Sequence, residues 1–78
     1  MRKITFYGWH VGMRKGAFTL LLRQEAGVGL KEARTIMLRV LDEQPVALEV
    51  PDELAARLLA QAEALGVKCR LELLPAAS

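Results

Sequence analysis

The stretch that most constrains this chain is residues 30–41. Leu30, Ala33, Ile36, Met37, Val40 and Leu41 fall at i, i+3, i+6, i+7, i+10 and i+11. That spacing lines one face of a helix turning every 3.6 residues. Lys31, Arg34, Thr35 and Arg39 take the other side. A helix this short is marginal alone in water, so its apolar stripe has to be covered by the rest of the chain. The flanking punctuation sets its limits. Gly27-Val28-Gly29 precedes it and reads as a helix end followed by a tight reversal. Asp42-Glu43-Gln44-Pro45 closes it, because a residue before proline avoids the helical region.

The remaining elements follow from the same logic. Lys3–Tyr7 alternates as a strand with Ile4 and Phe6 inward, and Gly8–Gly12 reads as a loop bounded by glycines. A first helix is expected from about Met13 to Ala26. Ala17, Leu20, Leu21 and Gln24 share one side of it, and Phe18, Leu21, Leu22 and Glu25 the next. Val46–Val50 alternates as a second strand. Pro51 suits the first turn of a third helix, with Asp52 and Glu53 at the positive end of its dipole and Gly66 just past its end. Val67–Leu73 alternates apolar and charged residues as a third strand with Cys69 inward, and Pro75 stops its pairing. The order β-α-α-β-α-β predicts an α+β fold. Strands two and three flank one helix and run parallel by a right-handed crossover. Strand one is expected between them, antiparallel to both, with three helices on one face of the mixed sheet and water on the other.

Composition narrows function mainly by exclusion. With 53% hydrophobic and 26% charged residues, the 78-residue chain reads as one soluble globule with a mostly aliphatic core. No apolar run approaches the roughly 18 residues of a membrane span, and the N-terminus has no signal-peptide pattern, so a cytoplasmic location is expected. The chain has one cysteine, one histidine, a single serine at position 78 and no asparagine. These are too few for a structural zinc site, a serine triad or a disulfide, and no phosphate loop is present. The expectation is a protein that is not an enzyme and carries no cofactor and no metal.

Charge is divided along the chain. Residues 1–41 hold eight basic and two acidic residues, a net of +6, whereas residues 42–78 hold three basic and seven acidic, a net of −4. Lys15, Arg23, Lys31 and Arg34 fall on or near the two helices joined by the glycine turn. They read either as ordinary solvated faces or as one docking patch for an acidic protein. Nucleic acid is disfavoured, since no aromatic residue interleaves with these cations. Trp9, in its glycine-bounded segment, either caps one end of the core or serves as an exposed anchor for a partner. His10 beside it reads as a surface residue.

The segment Gly27-Val28-Gly29-Leu30-Lys31-Glu32-Ala33-Arg34 resembles the Gly-Leu-Gly-Leu-Lys-Glu-Ala-Lys segment of the C-terminal domain of the bacterial ribosomal stalk protein. The likeness extends over nearly the whole chain, and that family has the same element order. It implies docking of a translational GTPase on the surface of helices one and two, with Lys15, Arg23, Gly29, Leu30, Lys31 and Arg34 at the corresponding positions. A second family of the same fold, the substrate adaptors of the Clp protease, is similar at Ile36-Met37-Leu38, Val40 and Cys69-Arg70-Leu71-Glu72. That resemblance implies an adaptor or regulator of a Clp-type AAA+ ATPase. The places of that family's pocket for substrate N-termini hold Gly8-Trp9-His10 and Leu41 here, with no carboxylate for an α-amino group, so the pocket's activity is not expected.

Overall fold

The computed structural model describes residues 2–73. The elements run β1 (Arg2–Trp9), α1 (Lys15–Glu25), α2 (Leu30–Leu41), β2 (Val46–Val50), α3 (Asp52–Ala64) and β3 (Val67–Leu73). The expected stop at Pro75 lies outside the described residues. The sheet order is β2-β1-β3, with β1 antiparallel to both neighbours. Ile4 faces Leu48 on one side and Leu71 on the other, and Phe6 faces Val46 and Cys69. These inward residues alternate along each strand and meet the helices as a single layer.

The core is formed where that layer meets the three helices. Ile4, Phe6, Phe18, Leu22, Val40, Leu58 and Val67 are its largest fully buried side chains. Phe6 and Phe18 meet edge to face with centroids 5.2 Å apart and planes at 74°, a geometry worth about 0.5–1.5 kcal/mol beyond the area it buries. In α1 the buried face is Phe18, Leu21 and Leu22, the second of its two stripes, while Leu20 on the first stripe stays half exposed. In α2 it is Ala33, Ile36 and Val40. Leu30 opens that helix's apolar spacing yet is 43% exposed. It sits at the first helical position, beyond the reach of the core.

Two boundaries differ from the sequence reading. β1 continues through Gly8 and Trp9, which pair with Lys68 and Val67, so those residues are strand and not loop. The register slips between Phe6 and Gly8, leaving Tyr7 as the extra residue of a bulge. α1 begins at Lys15 and not at Met13, because Arg14 is extended, at φ −94 and ψ 91. The Met13 N–H donates to the His10 carbonyl at 3.1 Å and the Arg14 N–H to the Leu65 carbonyl at 3.0 Å. At the end of α2, Glu43 adopts φ 58. Its N–H donates to the Val40 carbonyl, and the Gln44 N–H donates to the Arg39 carbonyl, the paired bonds of a Schellman motif.

The open side of the sheet also departs from a plain solvated face. Thr5 lies there yet is only 5% exposed. Around it Glu72 accepts from Lys3 Nζ at 3.0 Å and from Arg70 Nε at 2.9 Å. The Arg70 guanidinium stands 5.5 Å from the Tyr7 ring centre. One carboxylate of this face, Glu72, thus holds two of its cations.

Candidate docking face

The turn between α1 and α2 is built by its glycines unequally. Gly27 has φ 70, which glycine adopts without steric penalty. Gly29 caps the start of α2 with ordinary extended backbone, and a Cβ there would meet nothing within 4 Å. Its place in the stalk-like segment has no steric requirement behind it. Arg23 in the last turn of α1 and Lys31 and Arg34 in the first turns of α2 lie either side of this turn, all exposed. Lys15 opens α1 at its other end, eight residues from Arg23, or roughly 12 Å along the helix axis. The four predicted cations therefore occupy one pair of packed helices, with three at the turn and one a helix length away.

None of the four is in an ion pair with a described residue; the described ion pairs are Lys3–Glu72, Arg57–Glu25 and Arg70–Glu72. Their positions also work against the helices that carry them. Lys15 stands at the first residue of α1, whose first turn has no acidic residue, and Lys31 stands in the first turn of α2. A cation at the positive end of a helix dipole costs about 0.3–1 kcal/mol. Glu32 offsets this in α2, whereas no carboxylate does so in the first turn of α1. Each N-terminal lysine is followed four residues later by a threonine that turns its hydroxyl inward. Thr19 Oγ1 donates to the Lys15 carbonyl and Thr35 Oγ1 to the Lys31 carbonyl, both at 3.0 Å.

Apolar groups interleave with these charges. Leu30, Arg34 and Leu38 follow one line along α2 at i, i+4 and i+8. Leu38 is 61% exposed and Leu20 on α1 is 49% exposed. The sequence reading found Leu30 through the resemblance but singled out neither Leu20 nor Leu38 for binding. The signal was present for Leu38, which falls outside the apolar stripe of α2.

Trp9 stands apart from the turn. It ends β1 and is 37% exposed. Its Nε1–H donates to the Leu41 carbonyl at 3.0 Å, satisfying one of the orphan acceptors at the end of α2. Leu41 is eleven residues from Leu30, roughly 16 Å along the helix. The ring thus ties β1 to the far end of α2 while leaving one side in water.

Two concavities went unnoticed in the sequence. One, of about 480 Å³, is lined by Tyr7, His10, Glu63, Val67, Lys68 and Cys69. Burial, and then the nearby Glu63 carboxylate, push the Cys69 thiol up to about 12, so it is a protonated core group and no nucleophile. The other, of about 340 Å³, is an apolar groove between α1 and α3. Its signal was the first stripe of α1, Ala17, Leu20, Leu21 and Gln24, of which only Leu21 belongs to the core. Among the described residues no three His, Cys, Asp or Glu side chains gather as a metal site, and no helix is long and apolar enough to cross a membrane.

No family model matches the chain, and neither the curated proteins nor the solved structures give a significant match.

Proposed function

We propose that this chain is a non-enzymatic protein-binding domain that docks an acidic partner through α1 and α2, as the stalk C-terminal domain it resembles docks translational GTPases. One observation carries this reading. Lys15, Arg23, Lys31 and Arg34 are exposed and have no ion-pair partner among the described residues, and they share their helices with the exposed Leu20, Leu30 and Leu38. A face serving only solubility gains nothing from lysines at helix N-termini or from leucines in water. A docking face uses both, the cations to steer an acidic partner and the leucines to hold it. The contrast with the open side of the sheet supports this, since Lys3 and Arg70 are both paired with Glu72 there. The test is affinity capture from native cytoplasm with the wild-type chain and with Arg23→Glu/Lys31→Glu. Exposed charges contribute little to stability, so the variant should fold normally and lose the captured partner. Equal capture by both would refute the reading.

The second reading is an adaptor or regulator of a Clp-type AAA+ ATPase without the N-terminal-residue pocket. The Trp9–Leu41 hydrogen bond favours its second clause, because it joins the end of β1 to the end of α2, the two places that pocket would occupy. Capture of an AAA+ ATPase that survives the double charge reversal would select this reading.

A further inference from the structure

The outer edge of β3 is a second unassigned surface. β1 lies between its two neighbours, so β2 and β3 each leave one edge unpaired in the sheet. β2 is five residues long and is bounded by Pro45 and Pro51, neither of which can donate to a further strand. β3 runs for seven residues with no proline, the kind of edge that invites pairing. The polar groups it offers follow from its ladder with β1. The His10 N–H donates to the Gly66 carbonyl at 2.8 Å, and Trp9 and Gly8 continue that register opposite Val67 and Lys68. Antiparallel pairs alternate between hydrogen-bonded and non-hydrogen-bonded, so Lys68, Arg70 and Glu72 turn their peptide groups toward β1. Those of Val67, Cys69 and Leu71 point outward, and a concavity of about 480 Å³ opens beside Val67, Lys68 and Cys69.

We infer that this edge pairs with the same edge of a second copy of the chain, antiparallel about a twofold axis at Leu71, so that two three-stranded sheets join into one. Charge on the open face of the sheet selects this occupant. Glu49, Lys3 and Glu72 stand directly across the three strands and alternate in sign, leaving a negative charge at the edge. Two residues along, Ala47, Thr5 and Arg70 leave a positive one. The next strand therefore needs a cation opposite Glu72 and an anion opposite Arg70. β3 itself supplies both when Leu71 faces Leu71, for Arg70 then meets the partner's Glu72 and Glu72 meets the partner's Arg70. Within the chain Arg70 Nε already donates to Glu72 at 2.9 Å, so the four side chains form a square of alternating sign. They fall at non-hydrogen-bonded positions, where facing Cα atoms are closest, about 4.5 Å apart. Other registers fail. An axis at Arg70 pairs Lys68 with Glu72 but sets Arg70 against Arg70 at its centre, and an axis at Cys69 sets Lys68 against Arg70 twice. A one-residue slip turns the charged face of each copy to the helix face of the other. On the helix face the second copy covers Leu59 and Leu71, both only partly buried; the Leu59 carbonyl lies 3.8 Å from Cys69 Sγ at this edge. The inference stands apart from the docking reading, which uses α1 and α2.

The test is sedimentation equilibrium of the whole chain from micromolar to millimolar concentration, with two charge reversals. The wild type should move from monomer toward twice the monomer mass as concentration rises. Arg70→Glu sets carboxylate against carboxylate in both cross-strand pairs, and Glu72→Arg sets guanidinium against guanidinium. Two attractive pairs become repulsive in each case, so either variant alone should self-associate at least about tenfold more weakly. Mixed in equal amounts, the two variants complement each other at both positions and should recover the dimer, which also shows that both are folded. Hydrogen exchange of the wild type locates the contact: the Cys69 and Leu71 amides, which face away from β1, should exchange more slowly as concentration rises. A wild type that stays monomeric throughout, a reversal that leaves self-association unchanged, a mixture that stays monomeric, or concentration-dependent protection on α1 and α2 in place of β3 would each overturn the inference.

Discussion

Replacing Gly66 with alanine tests how α3 is joined to the start of α1. Gly66 follows the last turn of α3 with φ 91, and a Cβ there would lie 3.0 Å from the Met13 Cα. Gly27 gives the matched control, with φ 70 and nothing within 4 Å of its Cβ. Alanine in the left-handed region costs about 1–2 kcal/mol, and its stiffer unfolded chain returns about 0.4–1 kcal/mol. Gly27→Ala should therefore lose roughly 0.5–1 kcal/mol. Gly66→Ala bears the same cost and must also push backbone against backbone. The neighbouring chain is pinned on both sides of Met13. The His10 N–H donates to the Gly66 carbonyl at 2.8 Å, and the Arg14 N–H donates to the Leu65 carbonyl at 3.0 Å. Overpacking of this kind adds about 1–3 kcal/mol, so the total is roughly 2–4 kcal/mol. Urea titration followed by circular dichroism gives both values from the midpoints at constant slope. At about 4–8 °C per kcal/mol, thermal melts should separate the two variants by several degrees. Equal losses would refute the close packing of the α3–β3 turn on the segment before α1.

Further outcomes follow from single contacts. Trp9→Phe keeps most of the ring but removes the N–H that satisfies the Leu41 carbonyl, and should cost about 1 kcal/mol in urea titration. Glu43→Gly relieves a side chain held at φ 58 in the Schellman turn and should raise stability by about 0.5–1 kcal/mol in the same assay. The Cys69 thiol is raised from 9.0 to about 12, so the folded state keeps its proton after the unfolded chain has lost it. Its contribution is complete below pH 9 and is lost as pH rises toward 12. The wild type should thus lose stability more steeply than Cys69→Ala over that window, and its native thiol should resist alkylation at pH 8.

Much of the architecture was legible because local and global signals agreed. The Leu30–Leu41 spacing, the glycines at 27 and 66 and the alternation of Val67–Leu73 each match the observed element. What escaped the sequence was set by tertiary hydrogen bonds. Nothing in Gly8-Trp9 announces a strand, yet β3 extends far enough to pair with both residues across a bulge. Nothing in Met13-Arg14 forbids a helix, but Arg14 is extended where its N–H bonds the Leu65 carbonyl. Glu43 in a left-handed turn is likewise invisible, because the signal for such a turn is glycine or asparagine. Of the candidate face, the cations were legible as charges. The exposure of Leu20 was not, because the wide apolar stripe of α1 does not say which edge of it reaches the core, whereas Leu38 could have been found from its place outside the stripe of α2.

The most direct test of the docking reading is the salt dependence of binding to the captured partner, measured by surface plasmon resonance for the wild type and Arg23→Glu/Lys31→Glu. Raising ionic strength from about 0.1 to 1 M shortens the screening length from about 10 to 3 Å. If the exposed cations of α1 and α2 steer an acidic partner, the wild-type association rate falls steeply over that range, while the variant binds weakly at low salt and responds little to more. An association rate that is flat with salt in the wild type, and an affinity unchanged by the double reversal, would contradict docking through this face.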